Sequence, residues 1–402
     1  MSVSMGTRVA YVCADAGIPV FGSKGASVHV QEVIRALLGR GSHVTLFATR
    51  TGGAPPEGLE EVAVYDLPAQ AQGERTEREQ AAFAANETVL ETLRDAGPFD
   101  LVCERYSLWS YAGMEFAREQ GIPGLLEVNA PLIEEQAEHR GLMDRALAEQ
   151  VANRSFGAAT ALLAVSREVA AYLDGYPAAL GRVQVVPNGV NPARFAAIDG
   201  TRDGKDASTF TVGFVGTLKP WHGLTVLVEA FDLLCRRTQD ARLLVVGEGP
   251  EGDRMREELE RRGLLHLTRF TGAVQPNAVP GLLSEMDVAV APYPARHDFY
   301  FSPLKVYEYM AAGLPVVASR IGQLEDVIEH ETNGLLCPPG DPEALATSLY
   351  RLCNAPELRT RLGQEARRSV LRDHTWDSVA ARILEIASTG RVPSNVAERV
   401  RL

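Results

Sequence analysis

The stretch Asp298-Phe-Tyr-Phe-Ser-Pro-Leu-Lys-Val-Tyr-Glu-Tyr-Met-Ala-Ala-Gly-Leu-Pro-Val-Val-Ala318 carries more potential chemistry than any other in the chain. Pro303 stands near a helix start, Gly313 near its end, and a strand-like run follows. Ser302 is placed to cap that helix, so the backbone N–H groups of about Leu304 and Lys305 point at an anion. Lys305 and Glu308, three apart, share a face. A lysine there can neutralise a phosphate while the carboxylate takes the two hydroxyls of a ribose. The competing reading is a mutual surface ion pair, worth only ~0–1 kcal/mol.

Three other loops have the composition of ligand sites. Gly216-Thr-Leu-Lys-Pro-Trp-His-Gly223 places Lys219 and His222 where two cations and a helix N-terminus can meet a diphosphate. A surface lysine and a histidine packed on Trp221 account for that loop equally well. Gly247-Glu-Gly-Pro250 has the form of a turn beneath a nucleotide, and equally of an empty loop. Gly22-Ser-Lys-Gly-Ala-Ser27 precedes a helix and lets a ligand approach free backbone N–H groups at Gly25 and Ala26. It has neither G-x-G-x-x-G spacing nor a P-loop ending, which argues against a dehydrogenase and a P-loop NTPase.

These loops need strands to hold them. Arg8–Ala14 is strand-like, Val30, Val33, Ile34, Leu37 and Leu38 have helical spacing, and His43–Ala48 is strand-like again, a β-α-β unit. Further strand-like runs at 100–103, 124–128, 161–165 and 183–186 alternate with helical stretches, as in a doubly wound α/β sheet. Composition turns polar at 196–208, and then the pattern restarts with strands at 211–216, 243–247, 267–271, 288–292 and 315–319. Asp341-Pro342 is a helix start, a capping residue followed by proline. The expected organisation is a first α/β domain over 1–195, a linker over 196–209, a second α/β domain over 210–375, and a C-terminal helix in 376–402. With 402 residues, two domains are the prior.

Bulk properties narrow the partners. Residues 1–190 hold 24 acidic against 15 basic side chains, a net of −9 out of −12 for the whole chain. An acidic first half argues against nucleic acid and anionic lipid as partners. No apolar run is long enough for an integral membrane segment, and Met1–Gly6 has no leader pattern. Cys13, Cys103, Cys235, Cys337 and Cys353 are odd in number and scattered, so neither a disulfide framework nor a zinc site is expected and the cytoplasm is the expected compartment.

Read together, Phe21–His29, Val186-Pro-Asn-Gly-Val190, Phe214–Gly223, Phe270-Thr-Gly272 and Ser302–Ser319 resemble the family 4 retaining glycosyltransferases over nearly the whole length. The resemblance implies the α/β GT-B fold, two doubly wound Rossmann-like domains facing each other across a cleft, the first on the acceptor side, the second binding the nucleotide sugar, and the C-terminal helix returning toward the first. It also implies transfer of a sugar from a nucleotide-diphosphate donor with retention, without a metal or other cofactor. Glu308 matches the second glutamate of the family's E-x7-E motif, expected on the donor ribose. Tyr300 stands where the first glutamate belongs, in a subgroup-like S-P-L-K variant of Ser302, Pro303, Leu304 and Lys305, which leaves Asp298 as a candidate for the donor sugar's hydroxyls. Thr217 and His222 replace the usual arginine and lysine of the Gly216 loop, and Lys219 is a candidate to restore the charge. Asn129 falls where many relatives place an active-site histidine, and the backbone at Val274 where the base is met.

With the motif glutamate assigned to ribose, no carboxylate stands out as a nucleophile, and the resemblance implies front-face displacement. Lys219, His222 and Lys305 would act as fixed donors toward the growing diphosphate charge, and closure about a hinge in 191–209 would exclude water. A UDP-sugar is the expected donor. Acidic Glu127, Glu134, Glu135 and Glu138, with His29, mark the acceptor side and are compatible with a small polar or amine-bearing acceptor or natural-product core; a solvated helix face accounts for them as well. A same-fold epimerase or coupling enzyme, and a catalytically inactive nucleotide-sugar-binding protein, stay open as alternatives.

Overall fold

A computed structural model describes residues 6–69, 71–196, 209–296 and 299–390. The linker expected at 196–209 falls, apart from its two ends, outside the described residues, as does Asp298. The described residues form two compact units, the first from those up to Asn188 with Tyr300–Ser302 and those from Trp376, the second from those in Gly189–Phe299 and Pro303–Thr375.

In the first unit the order is β1 (Arg8–Cys13), α1 (Gly25–Gly39), β2 (His43–Ala48), β3 (Ala63–Asp66), α2 (Arg75–Ala84), α3 (Asn86–Ala96), β4 (Leu101–Arg105), α4 (Ala112–Gln120), β5 (Gly124–Val128), α5 (Leu132–His139), α6 (Arg145–Ala158), β6 (Ala161–Ala164), α7 (Arg167–Leu173) and β7 (Val183–Val185). Its seven parallel strands lie in the order β3-β2-β1-β4-β5-β6-β7. In the second unit β8 (Phe210–Val215), α8 (Leu224–Cys235), β9 (Ala241–Val246), α9 (Gly252–Arg261), β10 (Thr268–Phe270), α10 (Val279–Ser284), β11 (Val288–Ala291), α11 (Leu304–Ala311), β12 (Val316–Ser319), α12 (Leu324–Val327), β13 (Leu335–Cys337), α13 (Pro342–Cys353) and α14 (Pro356–Asp373) follow one another. Its six parallel strands lie in the order β10-β9-β8-β11-β12-β13. The last helix, α15 (Trp376–Thr389), belongs to the first unit. Two parallel α/β sheets are thus confirmed.

Strands covered on both faces by helices must be apolar throughout, and Tyr11-Val12, Leu125-Leu126 and Val288–Val290 are fully buried. Each such side chain contributes roughly 1.5–3 kcal/mol relative to exposure. On α1 the helical spacing puts Val30, Val33, Ile34 and Leu37 inside. The cap at Asp341 is realised: its carboxylate accepts the N–H groups of Glu343 and Ala344 at 3.0 and 2.9 Å. Both sheets reverse direction of strand addition once, between β1 and β4 and between β8 and β11. Those reversals are where open parallel sheets receive ligands.

Candidate functional site

At the reversal in the second sheet, β8 runs into Gly216 and β9 into Gly247, at φ +141° and +128°. A Cβ on Gly247 would collide with the carbonyl of Gly216, so the two loops touch backbone to backbone and only glycine fits. Lys305, in the first turn of α11, reaches this point: a Cβ on Gly216 would lie 2.9 Å from its Nζ. The amine sits 4.3 Å from the Phe214 ring centroid and 5.7 Å from that of Tyr293. Although Lys305 as a residue is only partly buried, its Nζ is buried and has no hydrogen-bond partner. Burial pushes its pKa down to about 7, against the upward pull of Glu308. The orientation of α11 is fixed from within, since the Tyr309 hydroxyl accepts the Val215 N–H at 2.7 Å and donates to the Val215 carbonyl at 3.3 Å.

Two expectations about this site change, and one competing reading falls. His222 is not a cation: its Nδ1 donates to the Thr217 carbonyl at 2.6 Å, and burial, with Lys305 nearby, lowers its pKa to about 3. Ser302 does not cap α11. Its hydroxyl accepts the Asn188 N–H at 3.3 Å, its carbonyl accepts the Asn188 side-chain amide at 3.2 Å, and Pro303 precedes the helix with no side-chain cap. The first-turn N–H groups of Leu304 and Lys305 are therefore not capped by a side chain. Lastly, Glu308 does not spend itself on Lys305 but meets Arg194 at 2.7 Å, and Arg194 also donates to the Pro276 carbonyl at 2.8 Å. Thr217 is exposed, and Lys219 lies 5.5 Å over the Trp221 ring. Gly247 N–H donates to the Gly272 carbonyl at 3.0 Å, which sets the loop carrying Val274 beside it.

The first unit treats its candidates differently. His29 is buried, its Nδ1 and Nε2 lying 2.7 Å from Asn188 Oδ1 and 3.3 Å from Glu127 Oε2. That same oxygen accepts the Tyr11 hydroxyl at 2.6 Å. Burial drives the Glu127 carboxyl upward, but His29, Tyr11 and Arg105 outweigh it and hold the group below its ordinary range. Glu134 pairs with Arg145 at 2.9 Å, Glu135 accepts the Tyr300 hydroxyl, and Glu138 is exposed. These acids do not make one open acidic patch, so the amine-bearing acceptor loses the feature it was drawn from. Tyr300 packs on the first unit's core, its carbonyl accepting the Ser166 hydroxyl at 3.1 Å. Asn129 is half-buried, its amide 3.5 Å from the Glu127 carbonyl. Gly25 and Ala26 open α1, which has no side-chain cap, and Ser27 Oγ behind them is buried without a partner.

Arg194, Tyr293 and Tyr309 escaped the sequence reading. Each acts through folding distance, and only the tyrosine inside the Ser302–Ser319 motif stood near a recognised signal.

The family profile described as Glycosyltransferase Family 4 matches residues 23–194, and that described as Glycosyl transferases group 1 matches 209–355. The D-inositol 3-phosphate glycosyltransferase of Acidothermus cellulolyticus is 29% identical over 406 residues, covering 93% of this chain and 86% of that protein. Sucrose-phosphate synthase from Thermosynechococcus elongatus shares the fold with a TM-score of 0.75 at 21% identity, over 95% of this chain and 98% of the other. Anabaena HepE, in complex with UDP and glucose, does so with a TM-score of 0.69 at 21% identity, over 95% and 100%. Glycosyltransferase profiles thus match within both halves, and over most of its length the chain is similar to family 4 glycosyltransferases.

Proposed function

We propose that this chain moves a hexose-type sugar from a UDP-sugar to a hydroxyl of a small polar acceptor, with retention at the anomeric carbon and without a metal. The observation that carries the reading is the buried Lys305 amine without a partner, enclosed by Gly216, Phe214 and Tyr293 beside the uncapped first turn of α11. A cation in that state gains most from a dianionic ligand, because a buried charge left unpaired is costly and an ion pair there is poorly screened. The diphosphate of a nucleotide sugar supplies such a ligand, and the UDP seen in HepE supports uridine as its base.

In this reading Glu308, held by Arg194, takes the ribose hydroxyls, and the backbone near Val274 meets the base. Lys305, Lys219 and the first-turn N–H groups of α11 stabilise the negative charge that grows as the bond from anomeric carbon to phosphate oxygen breaks. His222 contributes as a neutral ring that shapes the lysine's pocket. The acceptor hydroxyl attacks the oxocarbenium-like sugar from the face the diphosphate leaves, and its proton passes to a departing phosphate oxygen. Free cysteines throughout accord with a cytoplasmic setting.

Incubation with UDP-, GDP-, ADP- and dTDP-sugars tests this by thermal shift and by release of free nucleotide diphosphate. A UDP-sugar should raise the melting temperature and be consumed, EDTA should leave turnover unchanged, and the product's anomeric coupling should match the donor's. Failure of every nucleotide sugar to bind would remove the proposal.

A further inference from the structure

The carboxyl ends of β1, β2, β3 and β4 open onto a cavity of about 350 Å³ within the first unit, at the reversal of its sheet. Three arginines line it, Arg75 and Arg78 from the first turn of α2 and Arg140 just past α5. A Cβ on Gly141 would collide with Nη1 of Arg75, so that guanidinium rests against the backbone next to Arg140. Nε of Arg78 is buried without a hydrogen-bond partner. None of the three forms an ion pair among the described residues, whereas Arg8, Arg94, Arg154, Arg194 and Arg262 each hold a carboxylate at 2.7–2.9 Å.

Three carboxylates line the same cavity, Asp15, Glu79 and Glu135, and each is engaged elsewhere. Asp15 accepts the Gly17 N–H at 2.7 Å. Glu79 clamps the N–H groups of Met143 and Asp144 at 3.1 and 3.0 Å, which fixes the loop carrying Arg140 and Gly141. Glu135 accepts the Tyr300 hydroxyl. Charges in the lining balance, three against three, so recognition here comes from directed guanidinium N–H groups and not from a diffuse field. A buried N–H left unmade costs about 1–3 kcal/mol, and the planar guanidinium fork matches two oxygens of a phosphate.

We propose that this cavity takes a phosphate monoester, the anionic group of the molecule that receives the sugar, on Arg75, Arg78 and Arg140. That the phosphate belongs to the acceptor rests on the transferase reading; that the cavity binds phosphate does not. Sugar phosphates and polyol phosphates are the matching substrate class, in place of the amine-bearing acceptor first drawn from the acidic residues.

The test is calorimetric titration of the full chain with inorganic phosphate while UDP saturates the second unit, with acetate as the carboxylate arm. One phosphate should bind per chain, at least tenfold tighter than acetate. Arg78→Met, Arg75→Met and Arg140→Met should each weaken it at least tenfold without changing UDP affinity. Arg75 and Arg140 are exposed, so their variants keep the test valid if Arg78→Met loses stability. Equal affinity in wild type and all three variants, meaning an adventitious ion only, would overturn the proposal, as would no saturable binding or parity with acetate. Should UDP itself not bind, the transferase reading fails separately, and the phosphate titration is then read in a Lys305→Met background.

Discussion

Lys305 was visible in the sequence as a helix-face lysine three residues before Glu308; its enclosure by Phe214 and Tyr293 was not, because those rings come from β8 and from the loop after β11. That enclosure makes the amine expensive to keep charged. Its folded pKa of about 7 lies below its ordinary 10.5, so the folded state holds fewer protons than the unfolded chain across that window. Stability of the empty protein therefore rises with pH between those values, and the cost of the lysine is greatest below pH 7. Lys305→Met should accordingly stabilise the empty protein by about 1–3 kcal/mol at pH 7, with the gain fading toward pH 10, as thermal melts across pH would show. Because a diphosphate restores the charge, UDP binding at pH 8 should be accompanied by net proton uptake at this amine, read from the buffer dependence of the binding enthalpy. The Met variant should show no uptake and lose about two to three orders of magnitude in kcat/KM. His222 was misread at this scale for a like reason: only the fold reveals the Thr217 carbonyl on one nitrogen and the lysine nearby.

Elements were legible where burial writes itself into the pattern. β1, β5, β8, β9 and β11 are apolar runs because both faces are covered, and α1, α8 and α13 show helical spacing or a cap. β3 and β13 were missed. β3 is an edge strand of four residues with no fully buried side chain, and β13 has only three residues. α2 was missed too, since Glu79 is its one buried residue and no apolar stripe exists to see. That omission hid Arg75 and Arg78. The glycines after β8 and β9 were legible as turns, but their contact was not, because it joins two loops about thirty residues apart. Gly247→Ala tests that contact: with a positive φ and a collision against the Gly216 carbonyl, it should cost about 1–3 kcal/mol. UDP binding should fall at least tenfold, measured beside the melting temperature. Gly263→Ala also sits at positive φ but has open space around it; it should lose stability with UDP affinity unchanged.

At the scale of the whole molecule, the same sheet plan is used twice with different charges at its ligand end. The second unit keeps one enclosed lysine at its reversal, and the first gathers three arginines among three engaged carboxylates. The acidic bias of residues 1–190 gave no hint of the latter, because a net count averages over surface that never meets the cavity. The chain's last helix belongs to the first unit, where Arg40 holds Asp377 at 2.8 Å and Trp376 stands edge-on to His29 at 5.2 Å. Truncation before Trp376 would remove α15, which packs against α1 and whose Trp376, Ala380, Ile383 and Ile386 are buried. It should destabilise the first unit by several kcal/mol, on the order of 1.5–3 kcal/mol for each large side chain. Calorimetry should then show an early transition that UDP does not shift, while the later one still responds.

The most direct measurement is a crystal structure of the chain soaked with UDP-glucose. A diphosphate oxygen is expected within hydrogen-bond distance of Lys305 Nζ and of the first-turn N–H groups of α11, with the ribose hydroxyls on Glu308. A nucleotide bound away from α11, leaving Lys305 still without a partner, would contradict the account.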